Sequence, residues 1–320
     1  MSHVMNFTEG LGKIQYSNLP LWVFDIAIPM FAAVVFLVGV IGNGVVILTM
    51  LRYKKMRKSV TNIYILNLAL ADFFFFLVLP FVVYFNSSFD WIFGEVMCKL
   101  TMGLDGMNMF TGIFTLTSMA VDRYRTIVRL VDTRSYRRIS IAKFTCIGLW
   151  VVSLLITLPL WFYAEVEPRR DNILVCTIPC PVAVKYGFMI TAFILGFVAP
   201  LVIVCVCYTW IVTFLRNRKQ SLTITAIKIG RISTLVFVTT GVFACSWLPF
   251  WIVRIALLAT PNEEPTKSME TAYYSSLCLT FANGCLDPFI YACFKEDIYQ
   301  KIRKLCSCFK RVTKPVESHL

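Results

Sequence analysis

Seven stretches of the chain, residues 26–51, 60–88, 100–121, 144–164, 186–215, 232–253 and 271–294, are each apolar over a length that can cross the ~30 Å hydrocarbon core of a bilayer. Lipid offers no partner to backbone N–H and C=O groups, so runs this long must satisfy those groups internally as helices. The fold class that follows is an all-α membrane protein, a seven-transmembrane helix bundle. An odd number of crossings puts the two termini on opposite sides. A mean hydropathy of +0.72, with 15% charged residues, lies outside the range of soluble domains and excludes them.

The distribution of the 31 Lys and Arg residues sets the orientation. With the N-terminus and alternate loops assigned to one side, that side holds 7 basic and 10 acidic residues and the other 24 basic and 5 acidic. The positive-inside rule makes the basic side cytoplasmic and the N-terminus extracellular, as expected of a multi-pass plasma-membrane protein. The net charge of +13 therefore belongs to one face. A soluble nucleic-acid binder would not divide its charge between hydrophobic spans, so nucleic acid is excluded as a partner. The charge reads instead as attraction to anionic membrane lipid and as a docking surface for a cytoplasmic protein. Residues 1–20 lack a basic region followed by an apolar core, so the first span is expected to direct its own insertion. The expected organisation is an extracellular segment 1–21, a bundle 22–293, an amphipathic helix 294–308 and a cytoplasmic tail 309–320.

Three acids lie within the spans: Asp72, Asp105 and Asp287. Each costs ~2.5 to 3.5 kcal/mol on insertion and has no basic residue at similar depth, so it must be protonated, hydrated or neutralised by a cation from outside the protein. The 18 residues from Asp105 to Arg123 make a whole number of helical turns and cover ~27 Å. Asp105, Asn108, Gly112, Leu116, Met119 and Arg123 therefore form one stripe, and whatever Asp105 binds can be felt along the face that carries Arg123.

Other polar and helix-breaking residues fall one group to a span. Gly42-Asn43-Gly44 places an amide among small residues, either satisfied locally or a hub shared with the second span. Pro80 and Pro200 are kink positions, and Ser246-Trp247-Leu248-Pro249 makes a hinge about which the end of the sixth helix can swing. Arg254 closes that end, with Glu263, Glu264 or a ligand acid as its partner. Phe294, Ile298, Ile302 and Leu305, at helical spacing among Lys295, Lys301, Arg303 and Lys304, read as a surface helix on the inner leaflet, with Cys306 and Cys308 as palmitoylation sites. On the outer side Asn6 and Asn86 head glycosylation sequons, and Cys176 or Cys180 can bridge to Cys98. Ser318-His319-Leu320 resembles a PDZ-binding C-terminus.

Taken in order, Gly42-Asn43, the Leu-Ala-x-x-Asp pattern at Asp72, Asp122-Arg123-Tyr124, Trp150, Pro200 with Tyr208, Phe243 with Trp247 and Pro249, and Asp287-Pro288-x-x-Tyr291 resemble the rhodopsin-like (class A) family of G-protein-coupled receptors over residues 22–308. Asp105-Gly106-Met107-Asn108-Met109-Phe110-Thr111, Trp91-Ile92-Phe93-Gly94 and Arg231-Ile232-Ser233 resemble the somatostatin, opioid and allatostatin-C receptor group within it. The resemblance implies an extracellular cationic neuropeptide as ligand and a heterotrimeric G protein of the Gi/o class as transducer, with arrestin as a further partner. It implies Asp105 as counter-ion for a ligand amine, in a site with Met109, Trp247, Trp251, Arg254 and Phe281. It implies an allosteric sodium ion, and no other cofactor, at Asp72, Asn108, Asn283 and Asp287. Phe243, Trp247 and Pro249 would be the switch. Asp122, Arg123, Tyr124, Tyr208 and Tyr291 would rearrange as the sixth helix opens, and Cys98–Cys176 would be the family disulfide.

The chain departs from that pattern in places. Gly112 and Gly284 stand where relatives carry sodium-pocket serines, and Asp287 stands where Asn is common, so that a sodium ion and a shared proton both fit between Asp72 and Asp287. Phe281 replaces a tyrosine that steadies the ligand-binding aspartate, and Leu130 replaces a proline of the second cytoplasmic loop.

A biogenic-amine receptor would use Asp105 equally, but Ala192, Phe193 and Gly196 stand where catechol-binding serines are expected. A transporter or channel would also bury acids, yet no repeat relates the two halves of the chain. A retinal pigment needs a Schiff-base lysine, and residues 271–294 contain none. An enzyme reading finds neither a spanning histidine nor a zinc-type cluster.

Overall fold

The computed structural model describes residues 20, 22–88, 90–129, 136–168, 173–217, 224–259 and 266–312, and within them the side chains of all but 24–25, 86–87, 136–137, 224–232 and 306–312. Asn6, Leu130, Glu263, Glu264 and the C-terminal tripeptide lie outside the described residues, as do the side chains of Asn86, Cys306 and Cys308.

The helices are α1 (Ile28–Arg52), α2 (Val60–Ser88), α3 (Gly94–Ile127), α4 (Tyr136–Tyr163), α5 (Val182–Asn217), α6 (Ile224–Ala259), α7 (Lys267–Phe294) and the terminal α8 (Glu296–Val312). Six of the first seven are long and apolar enough to cross a membrane on composition alone, and α3 is the one that is not. Its position explains this. Helix α3 packs against α2, α4, α5 and α6, and 17 of its 34 residues are buried, against 7 of 25 in α1. A helix that meets protein around most of its circumference needs no broad lipid-facing stripe and can carry Asp105, Asn108 and several threonines.

Expected spans and observed helices agree in position and differ at their ends. Helix α2 coincides with the apolar run 60–88, whereas α6 covers Ile224–Ala259 around a run of 232–253 and α3 covers Gly94–Ile127 around 100–121. Hydropathy marks only what lies in hydrocarbon, while helical hydrogen bonding continues into polar turns. The expected connection 216–231 therefore contains the first two turns of α6. At the other end, Phe294 closes α7 and α8 begins only at Glu296.

A π-helical turn, Ile194–Val198, precedes Pro200 in α5. The wider turn relieves the clash between the proline ring and the carbonyl four residues before it. Pro80, Pro159, Pro249 and Pro288 lie inside continuous helices.

Specific polar contacts join the helices. Asn67 Nδ2 donates to Thr115 Oγ1 at 2.8 Å, and Trp150 Nε1 donates to Asn67 Oδ1 at 2.9 Å, joining α2, α3 and α4. Asn43 donates at 3.1 Å to the carbonyl of Gly39 and at 3.1 Å to that of Gly284. It thus joins α1 to α7, not to the second span. The approach is close because a Cβ at Gly42 would sit 3.1 Å from Pro288 Cγ.

The opposite end is capped by a hairpin that the sequence did not announce. Strands β1 (Glu165–Pro168) and β2 (Leu174–Thr177) pair antiparallel, with Val166 opposite Cys176. Cys176, and not Cys180, is bonded to Cys98 of α3. Trp91, 1% exposed, anchors the chain between α2 and α3: its backbone N–H donates to Leu174 O at 2.8 Å and its Nε1 to Gly94 O at 2.8 Å. Gly94 sits at φ +76, where a side chain would strain the backbone.

At the basic end Ile298 of α8 is fully buried against the bundle, so the expected membrane-facing stripe begins as protein core. Lys295, between α7 and α8, is 6% exposed, donates to Asn62 Oδ1 of α2, and has Asp297 Oδ2 at 3.8 Å. Burial pushes this lysine down to about 8, against the opposing pull of Asp297.

Two measurements follow from this packing. A Cβ at Gly103 would lie 2.2 Å from the Trp161 ring, whereas one at Gly112 meets nothing closer than Leu68 Cδ1 at 3.5 Å. Gly103→Ala is therefore expected to lower the thermal midpoint of the detergent-solubilised protein, at ~1 to 3 kcal/mol of overpacking, and Gly112→Ala to leave it in place. Lys295 in the folded chain titrates below the ~10.4 of a free lysine, so the unfolded chain binds more protons between about pH 8 and ~10.4, and stability rises with pH across that window. In Lys295→Met that rise should flatten.

Candidate functional site

Asp105 lines a cavity of about 810 Å³ at the disulfide end, whose rim includes Ile178, two residues past Cys176. All six residues expected at a ligand site line it: Asp105 and Met109 from α3, Trp247, Trp251 and Arg254 from α6, and Phe281 from α7. Residues 247, 251 and 254 share one helical face, which is why a single helix contributes three of them. The wall is aromatic. Phe193 of α5 meets Trp251 edge-on at 5.3 Å between centroids, Trp247 meets Phe250 at 5.5 Å, and Phe243 stacks beneath Trp247 at 5.6 Å. Arg254 places its guanidinium 5.5 Å from the centre of the Phe250 ring. Phe281 is buried 5.7 Å from Phe75, and without a hydroxyl it gives Asp105 no partner.

Below lies a second cavity, of about 420 Å³, lined by Asp72, Asn108, Asn283 and Asp287, the four residues expected to gather there. Asp72 and Asp287 are 3% and 4% exposed and in hydrogen-bond contact with each other. Asp72 Oδ2, Asn108 Oδ1 and Asn283 Oδ1 are buried with no hydrogen-bond partner among the described residues. A set of converging oxygens suits a hard cation. Space is limited on one side, because a Cβ at Gly284 would lie 3.0 Å from Asp72 Oδ1. Met109, Trp247 and Thr280 line both cavities. One side chain, Trp247, is thus floor to the first and roof to the second.

The stripe on α3 continues to the basic end. Gly112 and Leu116 line the deep cavity, and Met119 and Arg123 are buried beyond it. Arg123 Nη2 lies 2.6 Å from Asp122 Oδ2. Arg138 of α4 binds the other oxygen of Asp122 and reaches Thr126 Oγ1 at 3.3 Å. The acid is therefore shared between two arginines, and no helical period pointed to the second. Tyr208 of α5 donates to the carbonyl of Ser233 on α6 and lies within electrostatic reach of Arg123. Tyr291, fully buried, sits beside Asp287 and not with Arg123. Tyr124 is half-buried against the core next to Arg123. Among the described residues no group of three or more His, Cys, Asp or Glu side chains could hold a metal.

The sequence profile of the 7 transmembrane receptor (rhodopsin family) matches residues 42–291. Somatostatin receptor type 2 of Mus musculus is 37% identical over 292 residues, 88% of this chain and 76% of its own length. Somatostatin receptor type 5 of Bos taurus is 39% identical over 285 residues, again 88% and 76%. Somatostatin receptor type 4 of Rattus norvegicus is 36% identical over 302 residues, 90% and 75%. With one profile running from the glycine beside Asn43 to Tyr291, and with the bundle, the disulfide and the buried acids in place, this chain belongs to the rhodopsin family of seven-transmembrane receptors.

Proposed function

We propose that the chain is a plasma-membrane receptor, N-terminus outside, for a cationic peptide, and that it signals through a heterotrimeric G protein of the Gi/o class at its basic face. One observation carries this reading. Asp105, with no hydrogen bond or ion pair among the described residues, lines a cavity of about 810 Å³ walled by aromatic and methionine side chains. Such a carboxylate is answered by a cation from outside the protein. Ala192 lines the cavity where a catechol-binding hydroxyl would stand, so a small amine would find few polar partners beyond Asp105. The names of the relatives point the same way.

Binding and response are coupled through α3 and α6. A ligand pressing on Trp247 acts on a residue two positions from the Pro249 hinge and in contact with both cavities. Swinging α6 requires Tyr208 to release Ser233 and exposes Arg123, opening the basic face to a G-protein segment. Asp72, Asn108, Asn283 and Asp287 would hold a sodium ion in the closed form, favouring it over the open one. Arrestin and anionic lipid are further partners of the basic face, and Ser318-His319-Leu320 would offer itself to a PDZ domain.

Ligand-stimulated nucleotide exchange on a Gi/o protein, driven by somatostatin and by lysine-containing peptides, tests the reading. Asp105→Asn should lower potency about 100-fold, the scale of removing one partner from a desolvated charge pair. Unchanged potency takes Asp105 out of the ligand site. Asp122→Asn, which frees two arginines at once, should raise exchange without ligand several-fold. Sodium should weaken agonist binding to the wild type, and Asp72→Asn should abolish that weakening; a sodium effect that persists in the variant would point away from this cavity.

A further inference from the structure

We infer that the ligand carries an acid as well as a base: Asp105 holds the amine, and Arg254 holds a carboxylate of the same peptide, either an acidic side chain or a free C-terminus. The inference rests on the peptide-receptor reading and adds a second recognition group to it.

Among the described residues, Asp105 and Arg254 are the two charged side chains that line the cavity, one on α3 and the other on α6. They make no ion pair with each other within 4.0 Å, so neither neutralises its neighbour and both charges remain available to what enters. Arg254 has no hydrogen bond or ion pair with any described residue. Its contact is the face of Phe250, at 5.5 Å, with buried Tyr273 close enough to feel its charge. A ring face occupies one side of the planar guanidinium and leaves its edge donors unused. A half-buried guanidinium among aromatic walls has lost part of its hydration, and an anion returns what was lost. The fork of donors matches a carboxylate in bidentate geometry better than any other common peptide group.

Charge balance favours the same ligand. A purely cationic peptide would satisfy Asp105 but bring positive charge toward Arg254. A peptide with an acid at the right separation satisfies both and leaves neither group buried unpaired, and discrimination against the wrong ligand comes from that unpaired group.

The test uses the full-length receptor in membranes and a panel of lysine-containing peptides. Each is made as free acid and as carboxamide, and with Asp or Asn at each position in turn. The acid forms of the best binders should bind at least about 10-fold more tightly than their amide counterparts, the scale of a charge-assisted hydrogen bond. Arg254→Gln should erase that difference, while Arg254→Lys restores part of it. Surface expression counted through an epitope tag separates recognition from folding. Equal affinity for acid and amide forms in the wild type overturns the inference, as does a difference that survives Arg254→Gln. An acid preference that disappears in Glu263→Gln or Glu264→Gln as completely as in Arg254→Gln overturns it too, since Arg254 would then be acting with the loop. If Asp105→Asn weakens every peptide while Arg254→Gln weakens none selectively, the peptide reading stands and this inference falls. If no member of the panel binds the wild type, the peptide reading fails and takes the inference with it.

Discussion

A carboxylate in a lipid-embedded bundle has to be surrounded by protein, and α3 carries one that nothing described in the chain neutralises. The consequences run through the whole arrangement. Because α3 sits where α2, α4, α5 and α6 all reach it, it can be the least apolar of the crossing helices and still reside in the membrane. The small residues on its α4 side allow that closeness: Gly103 lies under the Trp161 ring and Gly106 under Leu160, where a Cβ would come within 2.2 and 2.5 Å. Close helix contact of this kind is the principal source of cohesion where lipid is as apolar as the side chains. The polar centre and the tight packing are therefore one requirement met twice.

The same centrality gives the molecule its axis. Both cavities and Arg123 lie along one face of α3, and Trp247 is shared between the upper and lower cavities. A packed interior does not deform by degrees, so displacement at a shared wall tends to select between arrangements. Asp72 and Asp287 sharpen this, since two buried carboxyls in contact resist being brought closer in charged form. What occupies the lower cavity and what occupies the upper one must therefore influence each other through Trp247, Met109 and Thr280.

The readability of this structure in the sequence divides along a physical line. Positions fixed by the period of one helix were legible: Asp105, Asn108, Gly112 and Leu116 on a common face, and 247, 251 and 254 on another, each line one of the two cavities. Choices between helices were not. Asn43 could turn to α2 or stay local, and it bonds Gly39 of its own helix and also Gly284 on α7, because Gly42 lets α1 and α7 approach. Arg138 shares Asp122 because α4 begins beside the end of α3, which spacing does not encode. Lys295 finds Asn62 across 233 residues of sequence. The π-turn before Pro200 and the register of the hairpin likewise depend on what each segment meets, which hydropathy does not encode.

The closed basic end sets what a ligand must accomplish. Asp122 is held by two arginines and Tyr208 ties α5 to α6, so opening requires several contacts to break together. Moving such an equilibrium from 1:99 to 99:1 requires a ligand that prefers the open form by about 10⁴-fold. A single contact at Asp105 lies on α3, which is immobilised on most sides and gives little leverage. Arg254 lies on the far side of Pro249 from Ser233, on the helix that has to swing. A ligand spanning Asp105 and Arg254 would set the disulfide end of α6 against α3 and turn the helix about its proline, converting two charge pairs above Trp247 into strain on the contact between Tyr208 and Ser233 below it.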